Sequence, residues 1–293
     1  MTFRRWNCWY DRSQTFYRFR DHHTEINKHY WALIPAASFV GYLARRAPAG
    51  TTPATLFHAT GPDVRRLAPD IAGWRREFGD FENWVRLSML VSALSYLEIY
   101  INTIITMALR SDPLLRYGQT RVVDGTTWLK NDVKDSVKEL VNPCIIGEWS
   151  QRLSSFRKLF GACPSELQSL ESNLEISRNI RNGVAHSFGR SPDYFEDPAA
   201  PLGIAERLSE ARLLEFLGTI ERAAIIIDEY IVPRHIGSFE LIWHYHRWRM
   251  LPRAEQEPRY PDWIGFSRNV VRTYGTGPGR SYFRALLHFY DAT

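Results

Sequence analysis

The chain has little cysteine, little lysine and no long uninterrupted apolar run, and each shortage narrows what it can be. Three cysteines occur in 293 residues, Cys8, Cys144 and Cys163. They are odd in number, far apart and form no C-x-x-C pair, which argues against a disulfide framework and a zinc cluster and favours a reducing, cytoplasmic setting. Residues 1–20 lack the basic, apolar and small-residue zones of a signal peptide. The apolar stretch Met89 to Leu109 is interrupted by Ser92, Ser95, Glu98, Asn102 and Thr103, which a lipid-facing span resists. No membrane crossing is expected. The pairs His22-His23 and His244-x-His246 have no cysteine or acidic set at ligand spacing, so neither a metal nor another cofactor is expected. Hydrolase signatures of the G-x-S-x-G and H-E-x-x-H kinds are missing. Gly275-Thr-Gly-Pro-Gly-Arg280 lacks the Lys-Ser/Thr ending and the preceding strand of a phosphate loop.

What is present suits a globular protein with a polyanionic partner. An apolar fraction of 44% with 14% aromatics is enough to bury a core. Of the 37 basic residues only five are lysine, and the net charge is +5. Arginine's planar fork of donors suits phosphate, although an arginine excess also follows from genomic base composition, and charge alone never identifies a nucleic-acid binder.

The sequence divides into three segments. Residues 1–82 open with Phe3, Trp6, Trp9, Tyr10, Phe16, Tyr17, Phe19, Tyr30 and Trp31 interleaved with Arg4, Arg5, Arg12, Arg18 and Arg20, without a clean helical period. Short strands or an irregular wrap are expected there. Such a mixture can stack on unpaired bases, but aromatics packing on a core with solvated arginines is the commoner outcome. From Trp84 a helical seam runs through Leu87, Val91, Leu94, Ile101, Ile105 and Ala108 until Asp112-Pro113 ends it. A small turn or hairpin is expected at Val122 to Thr127, and short helices near Asn131 to Val141 and Glu148 to Phe160. Pro164-Ser165-Glu166 then starts the helix that holds Ile176 to Ser187, and a long one from about Ala205 to Ile231 carries the seam Leu213, Leu217, Ile220, Ala224, Ile227, Ile231, which needs a partner helix. Residues 233–293, with nine arginines against five acids, read as a basic aromatic C-terminal extension.

The most informative stretch is Ile176 to Ser187, Ile-Ser-Arg-Asn-Ile-Arg-Asn-Gly-Val-Ala-His-Ser. On a helix Arg178, Asn182 and His186 recur at i, i+4 and i+8, while Ile176, Ile180 and Val184 form an apolar stripe expected to face the core. His186 titrates near neutrality and suits proton transfer. An arginine can hold phosphate oxygens as charge builds, and Asn182 can orient either partner. RNA carries its own nucleophile, the 2′-hydroxyl, so such a trio is sufficient to cleave it. Arg181 lies about 140° from His186 on an ideal helix, whereas Arg178 shares the histidine face two turns away; either can serve as the phosphate ligand, and Gly183 makes a local break conceivable. Glu98 and Asn102, near the polar seam of the earlier helix, are candidate supporting residues.

Arg181-Asn182-Gly183-Val184-Ala185-His186 fits an Arg-Asn-x3-His form of the Arg-x4-6-His signature, and in this helical setting the chain resembles the HEPN family over roughly residues 83–232. The resemblance implies a mainly α protein, an antiparallel helical bundle with N- and C-terminal additions. It implies a metal-independent endoribonuclease in which Arg181, Asn182 and His186 are catalytic and Arg178 supports them. Two-fold homodimers with a shared cleft, RNA as substrate, and a toxin or antiviral defence role with an antitoxin or defence-system partner also follow from it. Some relatives only bind, so a non-catalytic RNA- or partner-binding module is the alternative.

Overall fold

The structure, a computed structural model, describes residues 3–133, 136–187 and 206–293; for His186 and Ser187 the description is of the backbone alone. Among the described residues it is mainly helical, with short 3-10 turns, one π turn at Val232–Ile236 and no strand. The α-helices are α1 (Gln14–Arg46), α2 (Pro53–Leu56), α3 (Ile71–Ser111), α4 (Gly125–Lys130), α5 (Lys138–Val141), α6 (Trp149–Phe160), α7 (Ser165–Ser169), α8 (Glu171–Ser187), α9 (Glu210–Ile231), α10 (Phe239–Arg249), α11 (Asp262–Tyr274) and α12 (Arg280–Ala292). The chain divides into two compact units that are discontinuous in sequence. Unit 1 takes Met1–Arg20, Leu97–Ser172 and Glu221–Thr293, and unit 2 takes Asp21–Tyr96 and Asn173–Ile220.

In unit 1 the seam expected on α9 is real: Ala224, Ile227 and Ile231 are at most 1% exposed. They share a core with Ile101, Ile104, Ile105 and Ala108 of α3, and with Phe16 and Phe19 of α1. Tyr100 ties these helices together, its ring 5.5 Å from Phe19 and its hydroxyl donating to the Ala224 carbonyl at 3.1 Å. As the sequence indicates, α3 stops before Asp112-Pro113 and α6 covers the expected span.

Three expectations need correction. Residues 14–46 form neither strands nor a wrap but a 33-residue helix. Ser13 caps it, its Oγ accepting from the Phe16 amide at 2.9 Å, so the helix signal was a polar cap in front of an unusual aromatic and arginine mixture. Around residue 125 there is no hairpin: Asp124 caps α4 by accepting from the Thr126 amide at 2.8 Å. Gly125 is required there, since a Cβ would lie 1.8 Å from the Arg110 carbonyl oxygen at the end of α3. Finally, the helix opened by Pro164 is only α7; the motif helix is a separate element that starts at Glu171.

The C-terminal segment, expected as an irregular aromatic and arginine-rich addition, is helical. Its helices α10, α11 and α12 enclose Leu241, Ile242, Tyr245, Trp248, Phe266, Val270, Tyr282, Phe283, Leu286 and Tyr290, each no more than 4% exposed. Phe266 sits at the centre, with ring centroids of Tyr245, Trp248 and Phe283 at 4.9, 5.7 and 5.7 Å. The N-terminal stretch is bound into the same unit by the buried Arg5, which donates to Asp124, to the Ile236 carbonyl at 2.8 Å and to the Ser111 hydroxyl at 2.8 Å. Gly237, with φ +54°, lies against it so closely that a Cβ would approach the Arg5 carbonyl to 2.5 Å. Phe3 packs on Tyr282 at 5.3 Å. These terminal aromatics therefore pack on core, as their composition favours.

Unit 2 buries Ile26 and Tyr30 of α1, Leu87, Leu90, Ala93 and Leu94 of α3, and Leu213, Phe216, Leu217 and Ile220 of α9. Asn83 clamps the chain entering α9, accepting from the Leu208 amide at 2.9 Å and donating to the Glu206 carbonyl at 2.8 Å. Tyr30 donates to Glu210 at 2.7 Å. Helix α3 is long and apolar enough to cross a membrane by length and composition, but half of its most apolar window is buried in protein, which is compatible with a core helix of a soluble protein.

Candidate functional site

Helix α8 carries the Arg-Asn-x3-His segment in its last two turns and runs without interruption through Gly183 to Ser187, so the local break that the glycine would permit is not made. The face it buries is not the expected one. Leu174 and Ser177 are at most 1% exposed and Val184 is 7%, whereas Ile176 is 40% exposed and Ile180 half-buried. Relative to the isoleucine stripe, the buried face is turned by roughly 70° about the helix axis. The buried serine makes this possible, because its hydroxyl donates to the Leu174 carbonyl at 2.8 Å and so enters the core without an unmet donor.

This rotation decides where the motif side chains stand. Position 181 falls on the buried face, between the directions of Leu174 and Ser177; Arg181 is half-buried and its Nε is enclosed. Position 182 is on the flank, and Asn182 is half-buried too. Position 186 lies about 40° round from 182 and about 140° from 181. The side chain of His186 lies outside the described residues. Arg178 is engaged within its own helix: Nε donates to the two Glu175 carboxylate oxygens at 3.1 and 3.0 Å, Nη2 to Glu175 Oε1 at 2.5 Å and to Asn179 Oδ1 at 3.0 Å. Asn173 of α8 donates to Glu215 of α9 at 3.0 Å, which fixes the N-terminal half of α8 beside α9 within unit 2.

The two supporting candidates belong to unit 1. Glu98 accepts from Arg152 of α6 at 3.2 Å, and the Arg152 side chain is only 4% exposed. Arg152 also donates to the Gly147 carbonyl at 2.9 Å and stacks over Trp149. Within this unit Glu98 therefore compensates a buried cation. Asn102, one turn on, is exposed.

Other titratable groups offer little reactivity. Burial pushes the Cys8 thiol up to about 12 and the Cys144 thiol up to about 11, so neither is a thiolate near neutrality. His244 and His246 do not form a paired ligand set: His244 Nε2 meets Asn269 Oδ1 at 2.7 Å, and His246 Nδ1 meets the Tyr290 hydroxyl at 2.6 Å. No cluster of three or more His, Cys, Asp or Glu is disposed to hold a metal among the described residues. Away from α8, unit 1 carries a cleft of about 850 Å³, lined in part by Arg18, Trp243, Arg247 and Tyr274, that no sequence motif marks.

Comparison with protein-family models, with curated proteins and with solved structures finds no match to this chain.

Proposed function

We propose that the protein is a metal-independent endoribonuclease of HEPN type, acting as a toxin or antiviral defence effector. The observation that carries this reading is the placement of Arg181, Asn182 and His186 in the last turns of one uninterrupted helix within a helical protein. An imidazole can take a proton as general base and, once protonated, give it back as general acid. In the proposed reaction the 2′-hydroxyl attacks the adjacent phosphorus, its proton passes to a His186 imidazole, and the P–O5′ bond breaks as a second imidazolium protonates the leaving oxygen. The products are a 2′,3′-cyclic phosphate and a 5′-hydroxyl. Arg181 holds the non-bridging oxygens, and its half-burial strengthens its field at the phosphate.

Positions 181 and 186 point about 140° apart on a straight helix, and a single imidazole cannot take and give a proton in the same step. A two-fold homodimer resolves both problems, because each copy lends Arg181 to the other's His186. One specific observation favours the second reading, a non-catalytic RNA- or partner-binding module: Arg178 is already neutralised by Glu175 and Arg181 is drawn toward the core.

The test is incubation of purified protein with total RNA in excess EDTA, followed by mapping of the new ends. Cleavage leaving cyclic phosphates, abolished by His186→Ala and by a 2′-deoxy residue at the cut site, is the expected result. Binding without cleavage assigns the second reading, and cleavage that survives His186→Ala removes the histidine from the mechanism.

A further inference from the structure

The cleft of about 850 Å³ is built from unit 1 alone, by the first turns of α1, by α10 and by α11. Its size lies within the range of small-molecule sites. Trp243 and Tyr274 supply aromatic surface, and Trp243 with Leu129 and Asp132 also lines an adjoining cavity of about 540 Å³. Two exposed arginines stand in the lining, Arg18 from α1 and Arg247 from α10.

The acids do not cancel them equally. Glu240 is 6% exposed and its oxygens are taken up by the start of α1, accepting from the Gln14 amide at 2.9 Å, the Thr15 hydroxyl at 3.1 Å and the Tyr10 hydroxyl at 2.8 Å. That carboxylate is therefore already engaged by the protein. Asp132 is the other acid in the lining. The histidines add polarity without charge: burial lowers the pKa of His244, and burial followed by Arg249 lowers that of His246. His244 Nδ1 lies beneath the cleft surface without a hydrogen-bond partner among the described residues, a lone pair that an N–H delivered from the cleft would satisfy.

We propose that this cleft binds a nucleoside phosphate, with the base against Trp243 and Tyr274 and the phosphate between Arg18 and Arg247. Aromatic surface and two guanidinium groups in one lining match a ligand that joins a ring to an anion. A free nucleotide and the 5′-phosphorylated end of an RNA strand share this chemistry.

Calorimetric titration of the full-length protein tests it, with AMP, ATP, adenosine, inorganic phosphate and a 5′-phosphorylated trinucleotide as probes. AMP or ATP is expected to bind at least roughly tenfold more tightly than adenosine or phosphate alone, and Arg18→Ala and Arg247→Ala are each expected to weaken binding by roughly tenfold. Both arginines are exposed, so these variants should keep the wild-type melting temperature. If the trinucleotide competes with AMP and is lost in the same variants, the site takes a strand end; if it does not compete, the ligand is free nucleotide. No binding at millimolar nucleotide, equal affinity for phosphate and AMP, or binding indifferent to both arginine variants overturns the assignment. His186→Ala should leave nucleotide binding intact, so loss of RNA cleavage and loss of this site are separable; binding lost in that variant places the ligand at α8 and also overturns it.

Discussion

Arg152 in unit 1 and Arg178 in unit 2 carry the same charge, one sealed at 4% exposure and one at 16% with an acid three residues before it on the same helix. Arg152 is sealed in, its guanidinium shared among Glu98, a backbone carbonyl and the Trp149 ring, all on other turns or other helices. The Arg178 partners named above, Glu175 and Asn179, are residues of its own helix. A tertiary pair of the first kind cannot be exchanged for a ligand without dismantling the packing around it. A local i, i+3 pair is worth only a few tenths of a kcal/mol and can give way to a phosphate. The difference teaches where in this molecule cations are available for binding, and composition alone could not have told it.

The largest effect that would break the comparison is on Arg152. Arg152→Ala should cost about 3 kcal/mol, because it empties a buried volume and leaves Glu98 and the Gly147 carbonyl without their donor. Chemical denaturation would measure it. A loss under about 1 kcal/mol would mean that the buried cation is no more committed than Arg178.

Buried acids of unit 1 sharpen the same contrast through pH. Asp228 is 1% exposed and accepts from the Ser13 amide at 3.1 Å, from the Ser13 hydroxyl and from Tyr100 at 3.2 Å, yet burial outweighs these bonds and raises its pKa; burial also raises that of Glu240. A carboxyl whose native pKa is raised binds more protons folded than unfolded. Its contribution to stability is therefore greatest below the ordinary carboxylate value and falls as pH rises through the raised native one. Glu215 and Glu257, lowered chiefly by Arg212 and by Arg272 respectively, act in the opposite direction. Denaturation midpoints should accordingly rise on mild acidification from neutral pH, and Asp228→Asn should flatten that rise. A slope unchanged by the substitution would show that Asp228 is as readily ionised as a surface acid.

Within α8 the two faces can be set against each other. Val184→Ala should cost about 1–2 kcal/mol and Ile176→Ala under about 0.5, since only the first removes methyl groups from the interior. Equal costs would restore the isoleucine stripe as the core face.

How much of this was legible depended on whether a residue's partners were near in sequence. The α9 seam, the stop of α3 at Asp112-Pro113 and the span of α6 follow from periodicity and proline, and all three appear. The start of α1 was missed although its Ser13 cap is local, because the aromatic and arginine mixture behind the cap has no clean helical period and the bond that fixes Ser13 reaches 215 residues to Asp228. The rotation of α8 was hidden because counting apolar side chains favours Ile176 and Ile180, while the interior accepts Ser177 once its hydroxyl is satisfied locally. The helical segment bearing Arg181, Asn182 and His186 was legible; the burial of Arg181 and the pairing of Arg178 were not, since both depend on which face the rest of the protein covers.

The smallest expected effect is the most discriminating for the motif helix. Glu175→Gln removes the carboxylate facing Arg178 while keeping a polar side chain of the same shape, so stability should fall by no more than about 0.5 kcal/mol. If α8 lies against RNA, withdrawing that negative charge makes Arg178 a stronger phosphate ligand. RNA affinity should then rise severalfold at low salt, with the gain shrinking as salt is added, because an additional phosphate contact steepens the salt dependence by about one unit of slope. Arg178→Gln should do the reverse, weakening binding with a shallower slope. Filter binding of a short single-stranded RNA across a salt series measures both. Identical slopes for wild type and the two variants would mean that Arg178 does not reach the phosphates, and that whatever α8 binds approaches from the side of Asn182 and position 186.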